Sequence, residues 1–166
     1  MHSNNSYAMH QTAILFVCLG NICRSPAAEG IMKHLTRQRY VDDQFFIDSA
    51  GVGSWHVGEL PDRRMRSHGN RHGYCFDSRA RQIKHDDFIR FDYIFVMDGE
   101  NYDDVIALAN NDDERRKVLR LADYMTHHPH QSTIPDPYYG GDRDFELVIE
   151  LLEDACDGLL SYLLRQ

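Results

Sequence analysis

The apolar positions of this chain change period several times, and each change marks an element. Residues 13–17 (Ala-Ile-Leu-Phe-Val) form a short run without charge, which predicts a strand buried on both faces of a parallel sheet. Beyond Ser25 the apolar positions fall at Ala28, Ile31, Met32 and Leu35, the three-and-four spacing of a helix that packs one face. Ser25 reads there as the N-cap and Pro26 as the first helical residue. The same reasoning predicts strands over 13–18, 44–50, 92–97 and 117–120, alternating with helices over 26–39, 61–72, 99–110 and 142–165. The last helix carries the longest stripe, from Phe145 through Val148, Ile149, Leu152, Ala155, Cys156, Leu159 and Leu160 to Leu163. Strand-helix alternation implies an α/β fold: a three-layer sandwich whose four-stranded parallel sheet, in the order 2-1-3-4, has helices on both faces. That order puts the end of the first strand at a topological switch point.

At that point stands Cys18-Leu-Gly-Asn-Ile-Cys-Arg24-Ser25, between a strand and a helix N-terminus. Free backbone N–H groups and the positive end of a helix dipole converge on such a loop, so it suits a tetrahedral anion. Gly20 and Asn21 are residue types that accept left-handed backbone angles and let successive amides point inward as a nest. Arg24 can give two parallel hydrogen bonds to two phosphoryl oxygens. The same field, with the Ser25 hydroxyl, favours a thiolate at Cys18, and the thiolate is the nucleophilic form of cysteine. Taken singly, Cys18 reads as core filler and Arg24 as a surface cation; the combination of strand, Gly-Asn turn, Arg and Ser-Pro reverses that reading.

These residues resemble the phosphate loop of the low-molecular-weight protein tyrosine phosphatases, whose signature is a cysteine, five residues and an arginine. Ile47-Asp-Ser-Ala50, Phe91-Asp-Tyr-Ile94 and Met97-Asp98 are similar to the family's later strand segments, and Asp136-Pro-Tyr-Tyr-Gly140 is similar to its general-acid loop. The likeness runs from about Ala13 to about Leu164. It implies catalysis by Cys18, Arg24 and Asp136 through a phosphocysteine intermediate. It also implies substrate binding by Leu19, Gly20, Asn21, Ile22, Cys23 and Ser25, with Trp55, Tyr138 and Tyr139 at the rim. Ser49 and Asp98 would support the loop, Ser49 helping Asn21 hold the turn. Asp98 also precedes Tyr102, Val105, Ile106 and Ala109 at helical spacing, so helix capping alone would account for it. Asp136 lies between Pro135 and Pro137, which stiffen its backbone on both sides.

The resemblance implies no cofactor and no metal, and phosphotyrosine-containing proteins as partners. Ile22 occupies the place where related protein-arginine phosphatases typically carry threonine, which favours phosphotyrosine. A thiol-dependent arsenate reductase shares the loop but relays oxidation through further cysteines close to the nucleophile, whereas Cys75 stands alone. A phosphotyrosine-binding pseudophosphatase would need a broken set, and Cys18, Arg24 and Asp136 are all present. Cys23 is the kind of neighbour that, in the family, traps an oxidised nucleophile as a reversible disulfide.

Composition narrows the setting. The 166 residues, 42% of them apolar, are enough for one domain over 13–166 with its own core. A net charge of -8 argues against nucleic acid or an anionic membrane as partner. Four cysteines without zinc or thioredoxin spacing suggest reduced thiols and a cytoplasmic setting, with a monomer or weak dimer expected. His127, His128 and His130 surround Pro129 without a carboxylate or cysteine cluster nearby in sequence, which argues against a metal site. Residues 1–12 are polar and read as a disordered extension. The strings around Asp136 and Leu152 have a bacterial style.

Overall fold

The computed structural model describes residues 10–166. Its four strands are β1 (Thr12–Cys18), β2 (Phe45–Gly51), β3 (Tyr93–Val96) and β4 (Val118–Arg120), all parallel, in the order β2-β1-β3-β4. β1 lies in the middle, with Phe16 level with Ser49 on one side and Phe95 on the other, and Cys18 level with Gly51.

Because successive strand residues point to opposite faces, β1 divides its apolar run between two cores. Ile14 and Phe16 join a cluster with α1 (Arg24–Gln38) and α6 (Asp142–Leu164), where Ala28, Ile31, Phe145, Leu152 and Leu159 are fully buried. Leu15 and Val17 join the other cluster with Phe88 of α3 (Asp87–Arg90) and Val105 of α4 (Gly99–Ile106). The expectation of a parallel sheet covered on both faces is met, and the apolar stripe of the last helix is buried as read.

The departures have local causes. The helix expected over 99–110 stops at Ile106, and α5 (Asp112–Arg116) follows; Asn111 caps it by accepting from the Glu114 N–H at 2.8 Å. The short α3 was not anticipated. The helix expected over 61–72 is α2 (Arg63–Arg71), with Asp62 as the cap accepting from the Arg64 N–H. Of the extension expected over 1–12, residues 1–9 lie outside the described residues, and Thr12 already pairs with Phe45 as the first residue of β1. Ser25 is not the cap of α1, which begins one residue earlier at Arg24 with no side chain capping it. The serine hydroxyl is turned inward instead, to the sulfur of Cys18.

Candidate active site

β1 ends at Cys18, and the chain turns through residues 19–23 into α1. The turn depends on Asn21, the residue in the loop with a left-handed backbone, at φ 56°. Gly20, expected to share that conformation, does not; what it supplies is room, since a Cβ there would stand 3.2 Å from the ring of His56. Gly51, opposite Cys18 on β2, has the same function from below: a Cβ would meet the Asn21 nitrogen and the Gly20 carbonyl carbon at 3.0 Å.

The turn is held by a buried chain of hydrogen bonds. The Asn21 Nδ2 donates to Ser25 Oγ at 2.7 Å and to Ser49 Oγ at 3.0 Å, while its Oδ1 accepts from the Arg81 N–H at 3.0 Å. Ser49 donates to Glu29 Oε1 at 2.6 Å, and the other Glu29 oxygen pairs with Lys33 at 2.6 Å. Ser25 Oγ lies 3.0 Å from Cys18 Sγ, and the Ser25 N–H points to the same sulfur at 3.4 Å. Ser49 therefore lies beside Asn21 as expected, but its own partner, the buried carboxylate of Glu29, was not foreseen. Ser25, Glu29 and Lys33 recur every fourth residue, so one face of α1 carries the chain outward from the sulfur.

Arg24 is 2% exposed and fixed from the far side of the cavity. Its Nη1 donates to Asp98 Oδ2 at 2.6 Å and to the Ile134 carbonyl at 3.0 Å, and its Nη2 lies 3.6 Å from Asp136 Oδ2. Burial alone would weaken the guanidinium's hold on its proton, but the Cys18, Asp98 and Asp136 charges around it push its pKa up instead. Asp98 bonds in two directions. One oxygen holds Arg24, and the other accepts from the Asn101 N–H at 2.8 Å as the cap of α4. Asp136 stands on the loop before α6, its Oδ1 accepting from the Tyr138 N–H at 3.1 Å.

One cavity of about 290 Å³ is lined by Cys18, Leu19, Gly20, Ile22, Cys23, Arg24, Asp136, Trp55, His56, Tyr138 and Tyr139. Asn21, Ser25, Ser49 and Asp98 lie behind that lining. The indole of Trp55 folds over Gly53 and is 69% exposed, and the Tyr138 and Tyr139 rings meet edge to face at 4.9 Å. His56, which no sequence pattern singled out, stands beside Trp55 with Nδ1 2.7 Å from Glu59 Oε2. Cys23 is buried, and burial first, then the charges of Asp62 and Cys18, pushes its thiol pKa well up. The described cysteines are free thiols; Cys75 faces a separate groove with Lys33 and His34. Of the three expected non-ligand histidines, His128 bonds to Asp154 at 2.7 Å, and among the described residues no three His, Cys, Asp or Glu side chains gather around a common point.

A sulfur met by the Ser25 N–H, a buried guanidinium and a facing carboxyl, at the turn from a strand into a helix N-terminus, can hold a tetrahedral anion and exchange a group with it. Known proteins carry the same frame. A Synechocystis sp. protein bearing a provisional low molecular weight protein-tyrosine-phosphatase name is 49% identical over 150 residues, covering 90% of this chain and 95% of its own. A crystal structure of a protein tyrosine phosphatase from Entamoeba histolytica superposes with a TM-score of 0.90 at 42% identity, covering 93% of this chain and 98% of that one. A Drosophila structure titled as an arginine phosphatase superposes with a TM-score of 0.83 at 35% identity, covering 90% and 96% of the two chains. The family model described as low molecular weight phosphotyrosine protein phosphatase matches residues 13–166, and the chain belongs to that family.

Proposed function

We propose that this protein hydrolyses phosphotyrosine in proteins, with Cys18 as nucleophile, Arg24 and the loop amides as the phosphate cradle, and Asp136 as general acid and then base. The observation that carries the reading is the Cys18 sulfur under a serine hydroxyl at 3.0 Å, in one cavity with a buried arginine whose Nη2 is 3.6 Å from a carboxylate. Cys18 attacks phosphorus in line; the S–P bond forms as the P–O bond to the phenol breaks, and Asp136 gives its proton to the departing oxygen. A water then attacks the phosphocysteine, Asp136 takes its proton, and the sulfur leaves as thiolate. The charge that builds on the equatorial oxygens faces the amides and Arg24, which supply the stabilisation a cation supplies elsewhere.

The rim supports a flat aryl phosphate. Trp55, Tyr138 and Tyr139 offer ring faces and edges around an opening that leads to the sulfur. Ile22 places an apolar side chain in that lining, where a guanidino phosphate would need polar partners, and this favours phosphotyrosine over phosphoarginine. Arsenate reduction would need a second thiol near Cys18. Cys75 opens on another groove and Cys156 is buried under α1, which leaves Cys23 alone for that task. The net charge of -8 supports protein partners rather than nucleic acid or anionic lipid, and free thiols support a reducing cytoplasm. No helix among the described residues is long and apolar enough to cross a membrane.

The test is an assay of phosphotyrosine and phosphoarginine peptides side by side, with and without EDTA, for the wild type and Cys18→Ser. Turnover of phosphotyrosine that survives EDTA and vanishes in a folded Cys18→Ser protein is expected. Preference for phosphoarginine overturns the substrate, and turnover by Cys18→Ser overturns the mechanism.

A further inference from the structure

The loop that carries Asp136 is anchored at two ends. On one side the Ile134 N–H donates to the Met97 carbonyl at 2.8 Å and the Ile134 carbonyl accepts from Arg24. On the other side the anchor is α2, a helix that contributes nothing to the cavity lining. Arg64, in its first turn, donates from Nη2 to the Tyr138 carbonyl at 2.9 Å. Its guanidinium lies 4.6 Å from the centre of the Phe145 ring and 5.5 Å from that of Tyr138, and Asp62 holds it through Nε and Nη2 at 3.1 Å. One turn further along α2, His68 is 2% exposed and stacked on the same Phe145 ring, with centroids 5.8 Å apart. Its Nδ1 meets Glu146 Oε1 at 2.6 Å and its Nε2 meets Asp142 Oδ1 at 3.0 Å. Both ring nitrogens face carboxylate oxygens of α6, so the ring is fixed between the two helices.

These ties fall on the carbonyl two residues after Asp136 and on the first turn of the helix that follows the loop. They meet the apolar stripe that binds α6 to the sheet only at its first residue, Phe145. Between the anchors Asp136 is held by its own turn, through the Tyr138 N–H, and by the 3.6 Å approach to Arg24. We propose that Arg64 and His68 are positioning residues for Asp136: they hold Tyr138 and the start of α6 against α2 and thereby set where the acid stands above the phosphate cradle.

This inference rests on Asp136 acting as the general acid, and that dependence supplies its test. The need for a proton grows with the basicity of the leaving oxygen. A nitrophenolate departs without one, whereas an unsubstituted phenolate or a tyrosinate does not. Misplacing the acid therefore costs poor leaving groups more than good ones, whereas general loosening of the cavity costs both alike.

The experiment measures kcat/KM for p-nitrophenyl phosphate and phenyl phosphate in the wild type, Asp136→Asn, Arg64→Met, Arg64→Lys and Asp142→Asn, with Tm recorded for each. Arg64 and Asp142 are 44% and 88% exposed, so these variants fold even if the buried His68→Gln does not. Arg64→Met is expected to raise the ratio of the two kcat/KM values on the order of tenfold. Asp136→Asn should shift it in the same direction, Asp142→Asn by less, and Arg64→Lys should restore part of it. Adding Arg64→Met to Asp136→Asn should leave the ratio where Asp136→Asn put it. An Arg64→Met protein that loses activity equally on both substrates, or loses none, overturns the positioning role. If the wild type turns over both substrates but Asp136→Asn leaves the ratio flat, the assignment of Asp136 itself fails, and the inference falls with it.

Discussion

Replacing Ser25 by alanine tests the nucleophile's surroundings most directly, because the hydrogen-bond chain leaves the Ser25 hydrogen few places to go. Asn21 spends both amide hydrogens on the two serine oxygens, and Ser49 gives its own hydrogen to Glu29. The Ser25 hydrogen is left with the Cys18 sulfur at 3.0 Å or the Ala50 carbonyl at 3.3 Å, and an anionic sulfur is the stronger acceptor. A hydrogen bond to a charged group contributes about 1.5–3 kcal/mol. It acts most where the sulfur regains its charge, as the thiolate leaves the phosphocysteine. At about 1.4 kcal/mol per factor of ten, Ser25→Ala should lower kcat by about 10- to 150-fold. The effect on kcat/KM should be smaller, because the hydroxyl stabilises the attacking thiolate before the reaction as well. Phosphoenzyme should then accumulate, visible as a burst of phenol and as acid-stable label on the protein. The variant also strands one Asn21 N–H in a buried site, a loss of about 1–3 kcal/mol that lowers Tm by about 2–4 °C per kcal/mol. A Ser25→Ala protein with lowered Tm but unchanged kcat and no burst would reduce the hydroxyl to scaffold and refute the argument about the leaving sulfur.

Three further substitutions probe other parts of the structure. Gly51→Ala brings a Cβ to 3.0 Å from the backbone of Gly20 and Asn21, so it should weaken competitive inhibition by inorganic phosphate while β2 still pairs, as read from inhibition constants and circular dichroism. Cys23→Ala should abolish the recovery by thiol after peroxide treatment, read against the variant's own activity before peroxide; unchanged recovery would deny Cys23 a protective role. Its buried thiol is held protonated partly by the Cys18 charge, and that restraint disappears once Cys18 is oxidised. For Asp154, burial pushes the carboxyl up, but hydrogen bonds from His128, the Thr126 and His127 amides and the Thr126 hydroxyl outweigh it and hold the pKa below the usual range. A carboxyl lowered in the folded state stabilises it fully above the unfolded value near pH 4, and that contribution fades as the pH falls through the folded value. Asp154→Asn should therefore lower Tm at pH 7 and flatten the fall of Tm below about pH 4; parallel curves for the two proteins would contradict this.

What could be read in the chain beforehand follows from how far apart the interacting residues lie. β1 and α6 were legible because each carries its burial pattern within its own span: five buried residues in succession at the end of one, and a stripe of three-and-four spacing in the other. The phosphate loop was legible because seven consecutive residues hold its nucleophile, its left-handed turn and its cation. Ser25 shows the limit of such local reading. Ser-Pro before an apolar helix is a capping signal, yet the sulfur of Cys18 competes for the same hydroxyl and wins, because the helix begins one residue earlier and Ser25 already lies inside it, its own N–H directed at that sulfur. Gly20 shows it again, since its place in the loop depends on the approach of His56, 36 residues later in sequence, rather than on a left-handed backbone.

Register carries the rest. Glu29 becomes Ser49's partner because β2 runs parallel to β1 with Ser49 level with Phe16, which brings the serine under the face of α1 that also bears Ser25. Shift β2 by one residue and Ser49 turns to the opposite face of the sheet, away from Asn21. Gly51 would then no longer lie beneath the phosphate loop, where a Cβ would press on the backbone of Gly20 and Asn21 at 3.0 Å. The conformation of the loop is thus tied to a strand pairing more than twenty residues away. A change at the β1–β2 interface should reach the nucleophile before it reaches the core, because the two apolar clusters tolerate small shifts in packing better than a hydroxyl tolerates the loss of its direction toward a thiolate.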